Sequence, residues 1–192
     1  DKHINLVAVT KKHTKEEVDQ LHALGLSVFG ENRVQEFLTK YDPAYTWHII
    51  GHLQTNKVKY IIGKVDVIES LDSIKLAKEI EKQAKKQDLV QKVFVELKVS
   101  QTDENKTGYP YQDAMNFLAE LQQFPHIKVK GLMCIATHTD DQAVNIKEFD
   151  TMKQIFDEAK EKYPEIETLS MGMSHDCLLY TSPSPRDISG SR

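Results

Sequence analysis

A lysine closing a short apolar run is the sharpest chemical feature of this chain. Lys11 follows residues 4–10, INLVAVT, a run apolar enough for a strand buried on both faces. A lysine at the mouth of an apolar barrel loses hydration, and that loss favours the neutral amine. A neutral amine can attack an aldehyde and form a Schiff base. The plainer reading is a solvated lysine, because Lys12 adjoins it in a lysine-rich chain.

Residues 169–176, LSMGMSHD, carry the second feature. Gly172 permits close backbone approach, and Ser174 can cap the helix that follows. Free N–H groups at such a terminus bind phosphate. An ordinary glycine turn with a helix cap is the competing reading. His48, in TWHIIGHLQTNK, can be a general base, a ring stacked on a cofactor or a packed core histidine. Asn32 and Arg33 follow a glycine turn and can serve simply to cap a helix. His52 and His138 lack partners at metal-ligand spacing, so no metal site is expected. No Gly-rich phosphate fingerprint of the nucleotide-binding kind is present. The run KEIEKQAKK reads as a solvated helix face.

These residues must be positioned by alternating strands and helices. Residues 4–10, 26–29, 46–50, 65–69, 92–99, 129–133 and 168–170 read as strands. Helical patterns lie between them. One begins at Thr14, with Glu17 three residues on as a capping box, and stops at Gly25. Others cover 31–40, 54–62, 73–86, 111–123 and 141–162. The helix over 73–86 places Leu76, Ile80 and Ala84 on one face. Seven such units argue for a parallel α/β fold. An open doubly wound sheet and a TIM-like barrel both fit, and the barrel is favoured because it needs only one more unit. The chain's 192 residues are short for a barrel, where ~250 is typical. The expected fold is therefore a TIM-like (β/α)8 barrel, here incomplete with the last βα unit missing. In such barrels chemistry sits where the strands end. Lys11, Gly30, Glu31, Asn32, His48, Gly51, His52, Ser70, Asp72, Ser100, Thr137, His138, Ser170, Gly172 and Ser174 would then share one rim.

Composition sets the wider limits. Forty per cent of residues are apolar and 28% charged, as in a soluble globular domain. A net charge of −4 gives no general pull toward nucleic acid or an anionic membrane. No apolar run approaches the ~20 residues of a membrane span, and no signal peptide is seen. Cys134 and Cys177 suggest neither a disulfide framework nor a metal pair, so a reducing cytoplasm is the expected location. Residues 177–192, CLLYTSPSPRDISGSR, have no period and read as a non-native or disordered tail.

Together AVTKKHT, FGENRVQE, WHIIGHLQTNK, KTGYP, KGLMCIATHTD and LSMGMSHD resemble the pyridoxal phosphate homeostasis proteins, relatives of the N-terminal barrel of alanine racemase. The resemblance covers about residues 4–176. It implies a TIM-like barrel over residues 1–176 that holds pyridoxal 5′-phosphate. Lys11 matches the family's Schiff-base lysine, and Asn32 and His48 match positions lining the cofactor pocket. Ser170, Met171 and Ser174 match the loop beside the phosphate. It also implies a carrier or regulator of the cofactor pool, without established turnover; a racemase-like enzyme is the alternative. Partners expected on this basis are pyridoxal phosphate and the apo-enzymes that use it, with the protein a monomer and neither nucleic acid nor membrane involved. The chain departs from the family pattern before strand one and after residue 176. There the family supplies an arginine near the pyridine nitrogen, a role that does not carry over to Arg186.

Overall fold

The computed structural model describes residues 5–102 and 107–171. The chain forms two compact units, one of Leu6–Val93 with Phe124–Lys128, the other built mainly of Phe94–Gln123 and residues 129–171.

In the first unit four strands pair in parallel and in sequence order: β1 Ala8–Val9, β2 Val28–Glu31, β3 Thr46–Ile49 and β4 Val67–Leu71. Helices α1 Lys15–Ala23, α2 Val34–Lys40 and α3 Ile74–Lys86 alternate with them. The register sorts the side chains into two faces. Phe29 lies beside Trp47, and Glu31 beside Ile49, which in turn neighbours Ile68. Phe29, Phe37 from α2, and Trp47 are fully buried, with both phenylalanine rings 5.5 Å from the indole. This face is therefore the one the helices cover. Val9, Gly30, His48 and Val67 form a row on the other face.

Local chemistry sets the helix ends. The Thr14 hydroxyl accepts the Glu17 N–H at 3.2 Å, as the capping pattern predicts. Ser73 accepts the Leu76 N–H in the same way at the start of α3. At the end of α1, Gly25 has a φ of 101°. The Leu26 N–H reaches the Leu21 carbonyl, and the Gly25 N–H reaches that of His22. These are the two bonds of a Schellman cap.

That cap explains a correction. The strand expected at 26–29 lies at Val28–Glu31, because the Leu26 N–H is engaged in closing the helix. Gly30 and Glu31 thus lie inside β2 rather than after it, and α2 starts later than residue 31. Arg33 is the N-cap of α2 without a side-chain capping bond. Strand β1 is also shorter than expected, at two residues. Residues 54–62 form a 3-10 segment, Thr55–Tyr60, instead of an α-helix.

The second unit holds most of β5 Gln91–Lys98 and β7 Ile127–Met133, with β6 Tyr109–Pro110, α4 Ala114–Leu121, α5 Gln142–Lys162 and β8 Thr168–Ser170. β6 runs parallel to β5, and β8 parallel to β7. β6 was not expected; the Tyr109 ring stacks on Phe117 at 4.1 Å and ties this short strand to α4. The tail at 177–192 lies outside the described residues.

Candidate functional site

Lys11 lies in a tight turn directly after β1. The His13 N–H donates to the Thr10 carbonyl at 3.0 Å, which closes residues 10–13. Lys12, the second central residue, has a φ of 65°. That is a type II pattern, whose left-handed position usually belongs to glycine. A side chain there costs on the order of 1 kcal/mol. The Lys11 side chain is exposed. The expected loss of hydration is therefore not supplied by burial, and the amine is open to an incoming ligand.

The backbone on both sides of Lys11 is tied down. The Thr10 N–H donates to the Gly30 carbonyl at 3.1 Å. The Thr10 hydroxyl donates to Glu31 Oε1 at 2.6 Å. Lys40 Nζ, from the end of α2, donates to the Thr10 carbonyl at 2.7 Å and to Glu31 Oε1 at 2.6 Å. On the far side the Lys12 N–H donates to Glu36 Oε2 at 3.2 Å. Thr10 and Glu31 are fully buried, and Lys40 is 4% exposed.

Asn32 follows β2, the strand paired with β1. Its position depends on Gly51, just after β3. A Cβ on Gly51 would lie 2.6 Å from the Asn32 carbonyl oxygen and 2.8 Å from its Cα. These contacts are with backbone and cannot be relieved by a rotamer change. Gly51→Ala is expected to lower stability by about 1–3 kcal/mol and to shift the Asn32 amide resonance, read by urea melting and by NMR.

His48 lies on the sheet face opposite Phe29 and Trp47 and is 8% exposed. Its Nδ1 is 2.8 Å from Glu69 Oε2, and its Nε2 is 3.9 Å from Asp66 Oδ2. Asp66 precedes β4, so one edge of the ring faces the beginning of that strand. The short contact to Glu69 fixes the ring orientation, with the Asp66 carboxylate farther off on the other side.

In the second unit, Ser170 ends β8 and is half-buried, and Met171 follows it at 8% exposure. The Cys134 N–H donates to the Ser170 carbonyl at 3.1 Å, and its thiol lies 4.0 Å from the Met171 sulfur. Ser100 and Thr137 hydroxyls are 2.7 Å apart, and Thr137 also bonds through its hydroxyl and N–H to Glu148. Gly172 and Ser174 lie outside the described residues. No group of three or more His, Cys, Asp or Glu residues among the described residues could hold a metal. No described helix is long and apolar enough to cross a membrane.

Residues 2–188 match the family described as alanine racemase, N-terminal domain. The chain is 40% identical over 176 residues to the pyridoxal phosphate homeostasis protein of Aquifex aeolicus, covering 89% of this chain and 77% of that one. This chain belongs to the pyridoxal phosphate homeostasis protein family.

Among solved structures, family member PipY of Synechococcus elongatus without pyridoxal phosphate superposes with a TM-score of 0.83 at 32% identity, covering 90% of this chain and 83% of PipY. The form of PipY with pyridoxal phosphate bound gives 0.81 at 31% identity, covering 89% and 82%. An alanine racemase of Clostridium difficile shares the fold at 16% identity, with a TM-score of 0.75 over 92% of this chain and 46% of that enzyme. The fold class is thus the parallel, TIM-like α/β class of the alanine racemase N-terminal domain.

Within this family member, the structure sets Lys11, Asn32 and His48 at or beyond three adjacent parallel strands of one unit, and Ser170 and Met171 at the end of β8 in the other. Sequence reasoning gave no role to Thr10, Glu36, Lys40 or Glu69. The available signal was Glu31: a charge in VFGE, in a row otherwise occupied by Ile49 and Ile68.

Proposed function

We propose that this chain binds pyridoxal 5′-phosphate through Lys11 and takes part in vitamin B6 homeostasis, holding the cofactor without turning over a substrate. The observation that carries this reading is the exposed Lys11 amine on a turn held by buried hydrogen bonds at Thr10 and an exposed one at Lys12. Pyridoxal phosphate supplies an aldehyde, which a lysine amine can take up as a Schiff base.

The residues present fit that group. Lys11 offers the nucleophile in solvent reach. Asn32, whose backbone abuts Gly51, offers an amide donor and acceptor for ring substituents. His48, held by Glu69, offers an imidazole of fixed orientation on the sheet face opposite Trp47. Ser170, Met171 and Ser174 are carried into the proposal from the sequence resemblance alone. The cytoplasmic location, the monomeric state and delivery to apo-enzymes belong to the same proposal. Support comes from PipY, a 31% identical family member with pyridoxal phosphate bound.

The test is a titration of pyridoxal phosphate into the chain and into Lys11→Ala, followed by visible absorbance. A yellow band present in the parent and absent from the variant is expected. No band in the parent, or an equal band in both, would overturn Lys11 capture. Amino-acid racemisation by the parent, abolished in Lys11→Ala, would overturn the absence of turnover.

A further inference from the structure

We infer that Glu31, Glu36 and Lys40 are positioning residues, which fix the turn that presents Lys11. This rests on the reading of Lys11 as the capturing amine.

The contacts converge on main chain. Lys40 Nζ divides its short bonds between the Thr10 carbonyl at 2.7 Å and Glu31 Oε1 at 2.6 Å. Glu31 Oε1 also takes the Thr10 hydroxyl. Glu36 Oε2 is 3.8 Å from Lys40 Nζ and accepts the Lys12 N–H. Thus the residues immediately before and after Lys11 are held by one connected set of charges, while the Lys11 side chain projects into solvent.

A fold seeking only stability has little use for this arrangement. Buried ion pairs are often replaced by apolar groups of similar volume without loss. Here Glu31 occupies a covered face shared with Ile49 and Ile68, and Lys40 reaches it from α2. Glu31 Oε2 is left without a hydrogen-bond partner among the described residues. What the set does supply is geometric: Lys12 is kept in a left-handed conformation unfavourable for lysine, which persists only where surroundings over-determine it. Capture of an aldehyde in a pocket needs the amine placed to within about 0.5 Å. A turn held on both sides fixes the backbone from which the amine reaches, and a free loop does not.

The test compares the parent with two variants. The triple replacement Thr10→Val, Glu31→Leu, Lys40→Met makes the inner set apolar, leaving no unpaired buried charge. Glu36→Ala removes the outer acceptor and its longer contact with Lys40, and leaves the short bonds among Thr10, Glu31 and Lys40 in place. Three quantities are read: melting temperature, hydrogen exchange at the Lys12 and His13 amides, and pyridoxal phosphate binding by absorbance. The triple variant is expected to melt within a few degrees of the parent, with His13 exchange faster and binding weaker, each by about tenfold or more. Glu36→Ala is expected to speed Lys12 exchange by about fivefold and weaken binding. A folded triple variant with parental exchange and binding overturns the inference. If the triple variant does not fold, parental Lys12 exchange and binding in Glu36→Ala overturn it instead. If the parent binds no pyridoxal phosphate, the Lys11 reading fails by itself, and the exchange rates still decide whether these residues fix the turn.

Discussion

Lys40→Met is expected to lower the unfolding free energy by about 3–5 kcal/mol. Methionine fills nearly the same space and keeps the apolar stem in place, so the loss is electrostatic. Glu31 has no exposure to water, and its Oε2 already has no partner among the described residues. Without the ammonium, Oε1 retains only the Thr10 hydroxyl, and a buried carboxylate with one hydrogen bond is costly. The Thr10 carbonyl would keep the His13 N–H as acceptor partner, so the main penalty falls on the carboxylate. Urea melting at neutral pH measures the loss; guanidinium salts would screen nearby charges. Adding Glu31→Gln to Lys40→Met should recover part of the stability, because it removes the uncompensated charge. Failure of the second change to recover any stability would show that packing, not charge, sets the cost.

Trp47→Ala is the second large effect, at about 3–5 kcal/mol. The indole is fully buried on the helix-covered face, between Phe29 and Phe37. Truncation opens a cavity that two rings and a strand cannot all move to fill. It also deletes the bond from Nε1 to the Asp42 carbonyl, 3.0 Å long, worth about 1 kcal/mol. Trp47→Phe should therefore cost much less than the alanine variant. Because Trp47 is the sole tryptophan, melting must be followed by circular dichroism rather than intrinsic fluorescence.

Much of the local structure was legible in the sequence, because its causes are local. Thr14 and Glu17 predict the start of α1, and Gly25 predicts its end. Asp141 caps α5 where the periodic pattern begins. Lys11 is found at a strand end because INLVAVT is apolar and stops there. The first errors come where one local device overrides another, as when the cap at Leu26 delays β2. The larger gap is in pairings. Glu31 meets Lys40 nine residues away, across a strand face and a helix end. His48 meets Glu69 only because β3 and β4 adopt a particular register. No periodicity reports such a meeting before the register is known. The left-handed Lys12 was equally hidden, since lysine carries no turn signal of its own.

The lysine turn and every side chain described as holding it come from residues 10–40. The backbone that presents the amine is therefore held by one short, contiguous stretch containing α1, β2 and α2. Insertions or replacements elsewhere in the chain can accumulate over generations without touching it. A lineage can remodel the remainder of its fold, gain or lose appended parts, and still inherit the same lysine on the same turn.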